Sequence, residues 1–180
     1  MAIFEVGRIE GMDKTLRKLR QFDIELHKEI IGDIRSAMNS AASLASASYP
    51  AVAMRGWQST PAKKPIGKPF PHYNQKQAQS GIEVVVGKKT GKHKSTYKVA
   101  ALRQNNAGGM IYDMAGSANK NKARNAQQFM NNLRSSGGRA SRVMWPAVRA
   151  KEPAIVAVII GAQKKAETAM NTYFNDQKVF

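Results

Sequence analysis

Residues 13–50, DKTLRKLRQFDIELHKEIIGDIRSAMNSAASLASASYP, decide the architecture of this chain. Leu16, Leu19, Phe22, Leu26, Ile30, Ile34, Met38, Ala41 and Ala45 recur every three or four residues, which lines them along one face of a 3.6-residue repeat. The spacing predicts one long amphipathic helix, with Asp13 as its N-cap after Gly11 and Tyr49-Pro50 as its stop. Its second half, residues 36–48, is almost entirely Ala and Ser, so another backbone can come close. Two packings suit that stretch: a tight helix pair within one monomer, or a helix against a neighbouring subunit.

Before this helix, residues 3–7 read as a short strand or extended lead-in. After it, residues 50–80 hold five of the seven prolines, Pro50, Pro61, Pro65, Pro69 and Pro71. Proline removes a backbone donor and fixes φ, so neither a helix interior nor a central strand fits, and an extended arm or loop is expected. Trp57, Phe70, His72 and Tyr73 give that arm something to pack with. Residues 81–87, β-branched and bounded by glycines, predict a strand, residues 95–102 a second, and the lysine-rich 88–94 the hairpin loop between them. Residues 105–109 read as a turn and 110–116 as a third short strand with its turn. A flexible polar loop, 117–125, then leads to a short helix near 126–133, stopped by Gly137-Gly138.

From Arg139 onward the chain reads as mainly helical, with Pro146 and Pro153 in first-turn positions. Ile155, Ile159, Ala162, Ala166, Met170 and Tyr173 form its apolar stripe. Residues 154–160 also suit a buried strand, but the helical period continues to Phe174. The expectation is a single α+β domain over residues 1–180: a long N-terminal helix and a C-terminal helix packed on a small, mainly antiparallel sheet, with a long proline-rich arm.

The charge is divided. Residues 1–33 carry six basic and seven acidic side chains, a net −1, and the remainder carries the rest of the +17, a net +18. Between Met54 and Arg103 eleven basic residues face one acid, Glu83. Such a chain reads as a binding or assembly protein rather than a catalyst. Cysteine is absent, which excludes disulfides, thiolate nucleophiles and Cys-based zinc sites. The first residues meet Glu5 before any apolar run develops, so a cytoplasmic start is expected. The apolar run 153–163 is far short of the roughly 20 residues that cross a bilayer, so no membrane partner is expected.

Nucleophilic catalysis needs a nucleophile, a base and an orienting group in reach of one another. His27 lies on the amphipathic helix, His72 in the arm and His93 in a lysine run that depresses its pKa, and each reads as a surface or packing histidine. Beyond Asp33 the acids are Glu83, Asp113, Glu152, Glu167 and Asp176, too few for paired-carboxylate or metal chemistry. Glu83 and Asp113 are expected to pair with nearby lysines or arginines. Residues 87–92, GKKTGK, follow a strand in the manner of a phosphate loop, but the glycine spacing is one short, His93 replaces the magnesium-binding hydroxyl, and a strand follows. No catalytic, cofactor or metal residue is assigned.

The order of parts carries a resemblance. A short extended start precedes a long helix whose Ala-rich second half ends at Tyr49-Pro50. A proline-rich arm and two strands follow, then Tyr112-Asp113-Met114-Ala115-Gly116. Arg142-Val143-Met144-Trp145-Pro146-Ala147 opens the last helix. Over most of its length the chain resembles the tail-completion or neck proteins of long-tailed double-stranded DNA bacteriophages. It departs from their usual pattern in the insertions at 50–80 and 117–125.

The resemblance implies a non-enzymatic virion protein of the head-tail junction, present in the host cytoplasm during assembly. It implies a ring, a hexamer, that completes or terminates the tail tube as a tail terminator or head-tail connector. Its partners would be connector or stopper and tail-tube proteins, with DNA passing through the lumen and no cofactor. Lys88, Lys89, Lys92 and Lys94 are then candidates to face the DNA. Trp57, Lys63, Lys64, Phe70 and Tyr73 are candidates for contact with a neighbouring subunit, although the aromatic residues equally suit the cover of their own core. The second reading, from the charge alone, is a sequence-independent nucleic-acid-binding protein in which the 88–94 loop and the arm grip phosphates.

Overall fold

The computed structural model describes residues 2–5, 12–54, 57, 71–90, 96–115 and 124–176. In chain order these form β1 (Ala2–Glu5), α1 (Met12–Phe22), α2 (Ile24–Ala47), α3 (Gln75–Ser80), β2 (Ile82–Thr90), β3 (Thr96–Gln104), α4 (Ala107–Met114), α5 (Arg124–Gly137) and α6 (Met144–Asp176). The sheet order is β1-β3-β2, with β2 and β3 an antiparallel pair. Long helices around a small sheet make the fold α+β.

The described chain gathers into two compact units, each drawn from three separated stretches. One takes Met1–Phe4, Ala42–Glu83 and Leu102–Val148; the other takes Glu5–Ala41, Val84–Ala101 and Arg149–Phe180. The elements α2, β2, β3 and α6 each contribute to both.

The apolar stripe of residues 16–45 is buried as its period requires: Leu16, Leu19, Ile30, Ile34, Met38, Ala41 and Ala45 are inaccessible to solvent. The helix is nevertheless two helices. Asp23 stands between α1 and α2, and its carboxylate accepts the Leu26 amide at 2.8 Å, giving α2 its own N-cap. Asp13 lies inside α1, which begins one residue ahead of it.

Four further expectations change. Residues 75–80, assigned to the arm, form α3, because the Asn74 side chain accepts the Gln77 amide at 3.0 Å and starts a helical turn. Strand β2 runs on through Gly87, where φ is 65°, a conformation glycine adopts at little cost. Lys88 and Lys89 therefore belong to a strand, and only residues 91–95 separate β2 from β3. The third strand expected at 110–116 is not formed over the described residues 110–115: 110–114 lie in α4, whose N-cap Asn106 accepts the Gly109 amide at 2.8 Å. Pro153 lies well inside α6 rather than in a first turn. It removes one ladder hydrogen bond, and the buried Val148, Ile155 and Ile159 on either side hold the helix through the gap.

The end of α5 follows its glycines. Gly138, at φ 78°, donates its amide to the Arg134 carbonyl at 2.8 Å, which closes the helix in the left-handed conformation.

Candidate functional site

In the first unit, Tyr49, Trp57, Tyr73 and Tyr112 form a column of aromatic rings. The Trp57 ring lies 5.5 Å from Tyr73, Tyr73 5.5 Å from Tyr112, and Tyr112 6.0 Å from Tyr49. Phe129 of α5 meets Trp57 edge-on at 5.2 Å. Ala45, Ala53, Ala78, Leu133, Val143 and Ala147 fill the remaining space of this core. Trp57 and Tyr73 are thus committed inside their own subunit and are not available as anchors on a neighbour. Offset and edge-on rings add about 1 kcal/mol per pair to simple burial.

These aromatics hold the base of the arm. The Trp57 indole Nε1 donates to the Pro71 carbonyl at 2.9 Å, and the Tyr73 hydroxyl donates to the Pro50 carbonyl at 2.6 Å. The Gln75 side chain donates to the Tyr49 carbonyl at 2.9 Å. Residues 57 and 71 therefore sit side by side. Lys63, Lys64 and Phe70 lie outside the described residues, as do Lys92 and Lys94 of the basic loop. Lys88 and Lys89 are placed on β2 by the backbone alone.

Three polar residues beneath this base were not singled out from sequence as a group. Gln104, fully buried, donates to the Tyr49 hydroxyl and the Ala78 carbonyl, both at 2.9 Å, while its Oε1 accepts the Asn106 amide at 2.8 Å. Asp113 and Arg142 cap each other's helices. The Asp113 carboxylate accepts the Val143 amide at 2.7 Å at the start of α6, and Arg142 Nη1 donates to the carbonyls of Tyr112 and Ala115 at the end of α4. The Arg142 guanidinium also lies 5.8 Å from the Tyr112 ring centre. Ser141, at φ 67°, makes the turn that brings these groups together.

Asp113 is therefore a structural acid. Desolvation raises its pKa above the ordinary 3.8, and the backbone amides of 142–144 and the Arg142 charge offset this only in part. Glu83 lies 3.8 Å from Arg103 and accepts a hydrogen bond from Asn105 at 2.9 Å, a partly exposed pair that contributes little to stability. His72 is exposed, and His27 is partly buried on α2, its pKa lowered by desolvation and by Arg20. Among the described residues no group of His, Asp and Glu is arranged to hold a metal ion, and no helix is long and apolar enough to cross a membrane.

Burial pushes the phenols of Tyr49, Tyr73 and Tyr112 above their ordinary value of 10, so none is an activated acid or base at neutral pH. A folded pKa raised in this way stabilises the fold fully below about pH 10, and the contribution is lost as pH climbs toward the folded values. In an alkaline titration followed by phenolate absorbance, three of the five tyrosines are expected to stay silent until the fold is lost and then ionise together. A smooth, reversible titration of all five would contradict their burial.

The second unit offers a different surface. Asp33, Ser36 and Ala37 of α2 and Gly161, Ala162 and Lys165 of α6 line an open groove of about 480 Å³. At its edge Lys165 Nζ donates to Glu29 at 2.5 Å, and that hydrogen bond raises the lysine pKa. Among the described residues lining the groove, no nucleophile is hydrogen-bonded to a base. Comparison with protein-family models, with curated proteins and with solved structures finds no match for this chain.

Proposed function

We propose that this chain is a structural, non-enzymatic protein of a phage head-tail junction, forming a ring that completes or terminates the tail tube and joins it to the connector. The observation that carries the reading is the succession of elements. A long helix ending before Tyr49-Pro50 is followed by a proline-rich segment tied at its base, an antiparallel strand pair and a long helix opened by Trp145-Pro146-Ala147. The Tyr112 segment, helical rather than extended, lends the resemblance no support.

Charge supports the same reading. Six copies of a +17 chain repel one another about a common axis unless DNA in the lumen or acidic neighbouring rings compensate. Subunits then stay monomeric until a partner nucleates the ring. Lys88, Lys89, Lys92 and Lys94 remain the residues proposed to face DNA.

The charge of residues 54–103 also favours the second reading, a free nucleic-acid-binding protein. Salt separates the two. Tight DNA binding by the purified monomer, falling steeply between low and physiological salt, supports the second. Co-purification with portal, connector and tail-tube proteins in intact particles is the result expected for the first. Absence of the chain from purified virions would overturn it.

A further inference from the structure

Resting on the ring reading, we propose that the free edge of β2 in one subunit pairs with the free edge of β1 in the next, so that the sheet continues from subunit to subunit.

The order β1-β3-β2 leaves β1 and β2 each with one edge that no described strand covers. The register of β2 shows which of its backbone groups that edge presents. The Asn105 amide donates to the Gly81 carbonyl at 2.8 Å, and the Arg103 guanidinium lies 3.8 Å from the Glu83 carboxylate. In an antiparallel pair hydrogen bonding alternates residue by residue, so the Gly81 carbonyl and the backbones of Glu83 and Val85 face β3. Ile82, Val84 and Val86 turn their amides and carbonyls away. Among the described residues, no turn, loop or cap backbone hydrogen bond reaches these three.

Strand edges that meet only water are usually blunted by lysine, proline or a bulge. In β2 such devices come late, as Gly87 at φ 65° and then Lys88 and Lys89. The five residues before them, Ile82 to Val86, are β-branched except for Glu83, whose carboxylate is engaged by Asn105. Successive side chains of a strand point to opposite faces, and Val85 and Val86 are both buried. The strand is therefore covered on both faces and holds its outward row of polar groups in a fixed line.

Such a row is satisfied by one kind of partner, another extended backbone. At four residues, β1 matches the regular stretch of β2 ahead of Gly87. Its sequence, Ala-Ile-Phe-Glu, carries one acid and no base, so it approaches a strongly basic neighbour without adding to the repulsion. Pairing β2 with a second β2 would be a two-fold contact that ends after two copies. Pairing β2 with β1 is heterologous, one surface meeting a different one on the next copy, which is the geometry that closes rings.

The register supplies the test. The Val84 amide points away from β3, so Val84→Pro costs the subunit no ladder hydrogen bond and removes a donor that only a neighbour would use. The expected result is a chain that folds normally by circular dichroism yet enters rings at least about tenfold less well. Val85→Pro, whose amide faces β3, should instead fail to fold. Hydrogen–deuterium exchange on the unsubstituted chain, free and in purified particles, reads the same contact directly: residues 2–5 and 82–86 should become protected together on assembly. Normal ring formation by folded Val84→Pro, or protection of 82–86 without 2–5, would overturn this inference and leave the ring reading standing. A Val84→Pro chain that cannot fold contradicts the outward register and overturns it too. A chain that stays monomeric in every particle fraction removes the ring reading and the strand pairing with it.

Discussion

Asp113→Ala is expected to lower stability at neutral pH by about 3 kcal/mol, measured as a shift in the denaturant midpoint. The substitution removes the acceptor for the Val143 amide, leaving a buried donor at the first turn of α6 without a partner, which costs about 1–3 kcal/mol. It also removes the charge that favours Arg142 in its position across the end of α4. Asp113→Asn is the informative contrast. The amide oxygen keeps the Val143 hydrogen bond while the charge is lost, so the cost should be smaller.

The wild-type chain and the Asn variant also differ in pH response. The folded pKa of Asp113 is raised, so the folded state binds its proton more tightly than the unfolded state does. The associated stabilisation is complete below the ordinary value of 3.8 and is lost as pH rises from there through the folded value. The wild-type chain should therefore gain stability relative to Asp113→Asn as pH falls from 7 toward 4. A difference that stays flat or grows with pH would mean the carboxylate is better stabilised when charged than its burial implies.

The long elements were legible because burial enforces a period. The stripe Leu16 to Ala45 and the later stripe Ile155 to Tyr173 each repeat often enough to exclude a strand; the first is buried at seven of its positions with Leu26 half-buried, and the second is buried through Ala166, after which Met170 is half-buried and Tyr173 exposed. The short elements were not, because their cues are local and ambiguous. Met110, Ile111 and Tyr112 suit a strand by propensity, and what makes them helical is the Asn106 cap four residues upstream. An Asn immediately before Ala-Gly-Gly was the available signal. Asn74 gives the same signal ahead of α3, within a segment whose prolines dominated the reading.

Long-range polar pairings left no trace in the sequence at all. Asp113 and Arg142 are 29 residues apart, and nothing in the spacing announces that Asp113 caps the start of α6 while Arg142 caps the end of α4. Trp57 and Tyr73 show the same limit from the other side. Aromatic residues in a proline-rich segment suit an exposed arm and a clamped base equally well until the partners across the core are known.

Gln104→Leu is expected to be still more damaging, by about 4 kcal/mol, although leucine fills nearly the same volume. The side chain at 104 ties three elements: the end of α2 through Tyr49, α3 through the Ala78 carbonyl, and the approach to α4 through the Asn106 amide. Leucine leaves the Ala78 and Asn106 groups unsatisfied in a buried setting, at about 1–3 kcal/mol each. Relaxation around the new side chain is restricted, since a Cβ at Gly81 would stand 2.1 Å from Gln104 Oε1 and one at Gly109 would stand 2.8 Å from Nε2. The backbone at both glycines is already pressed against residue 104. Asn105→Ala, which removes an exposed hydrogen bond to Glu83, serves as the control and should change stability by less than about 0.5 kcal/mol. Because α3 follows the base of the arm directly, Gln104→Leu should also loosen the return of the chain at Pro71–Tyr73 and impair assembly at temperatures where the subunit is still folded. Normal assembly by a stably folded Gln104→Leu variant would show that the arm base is held by its aromatic column alone.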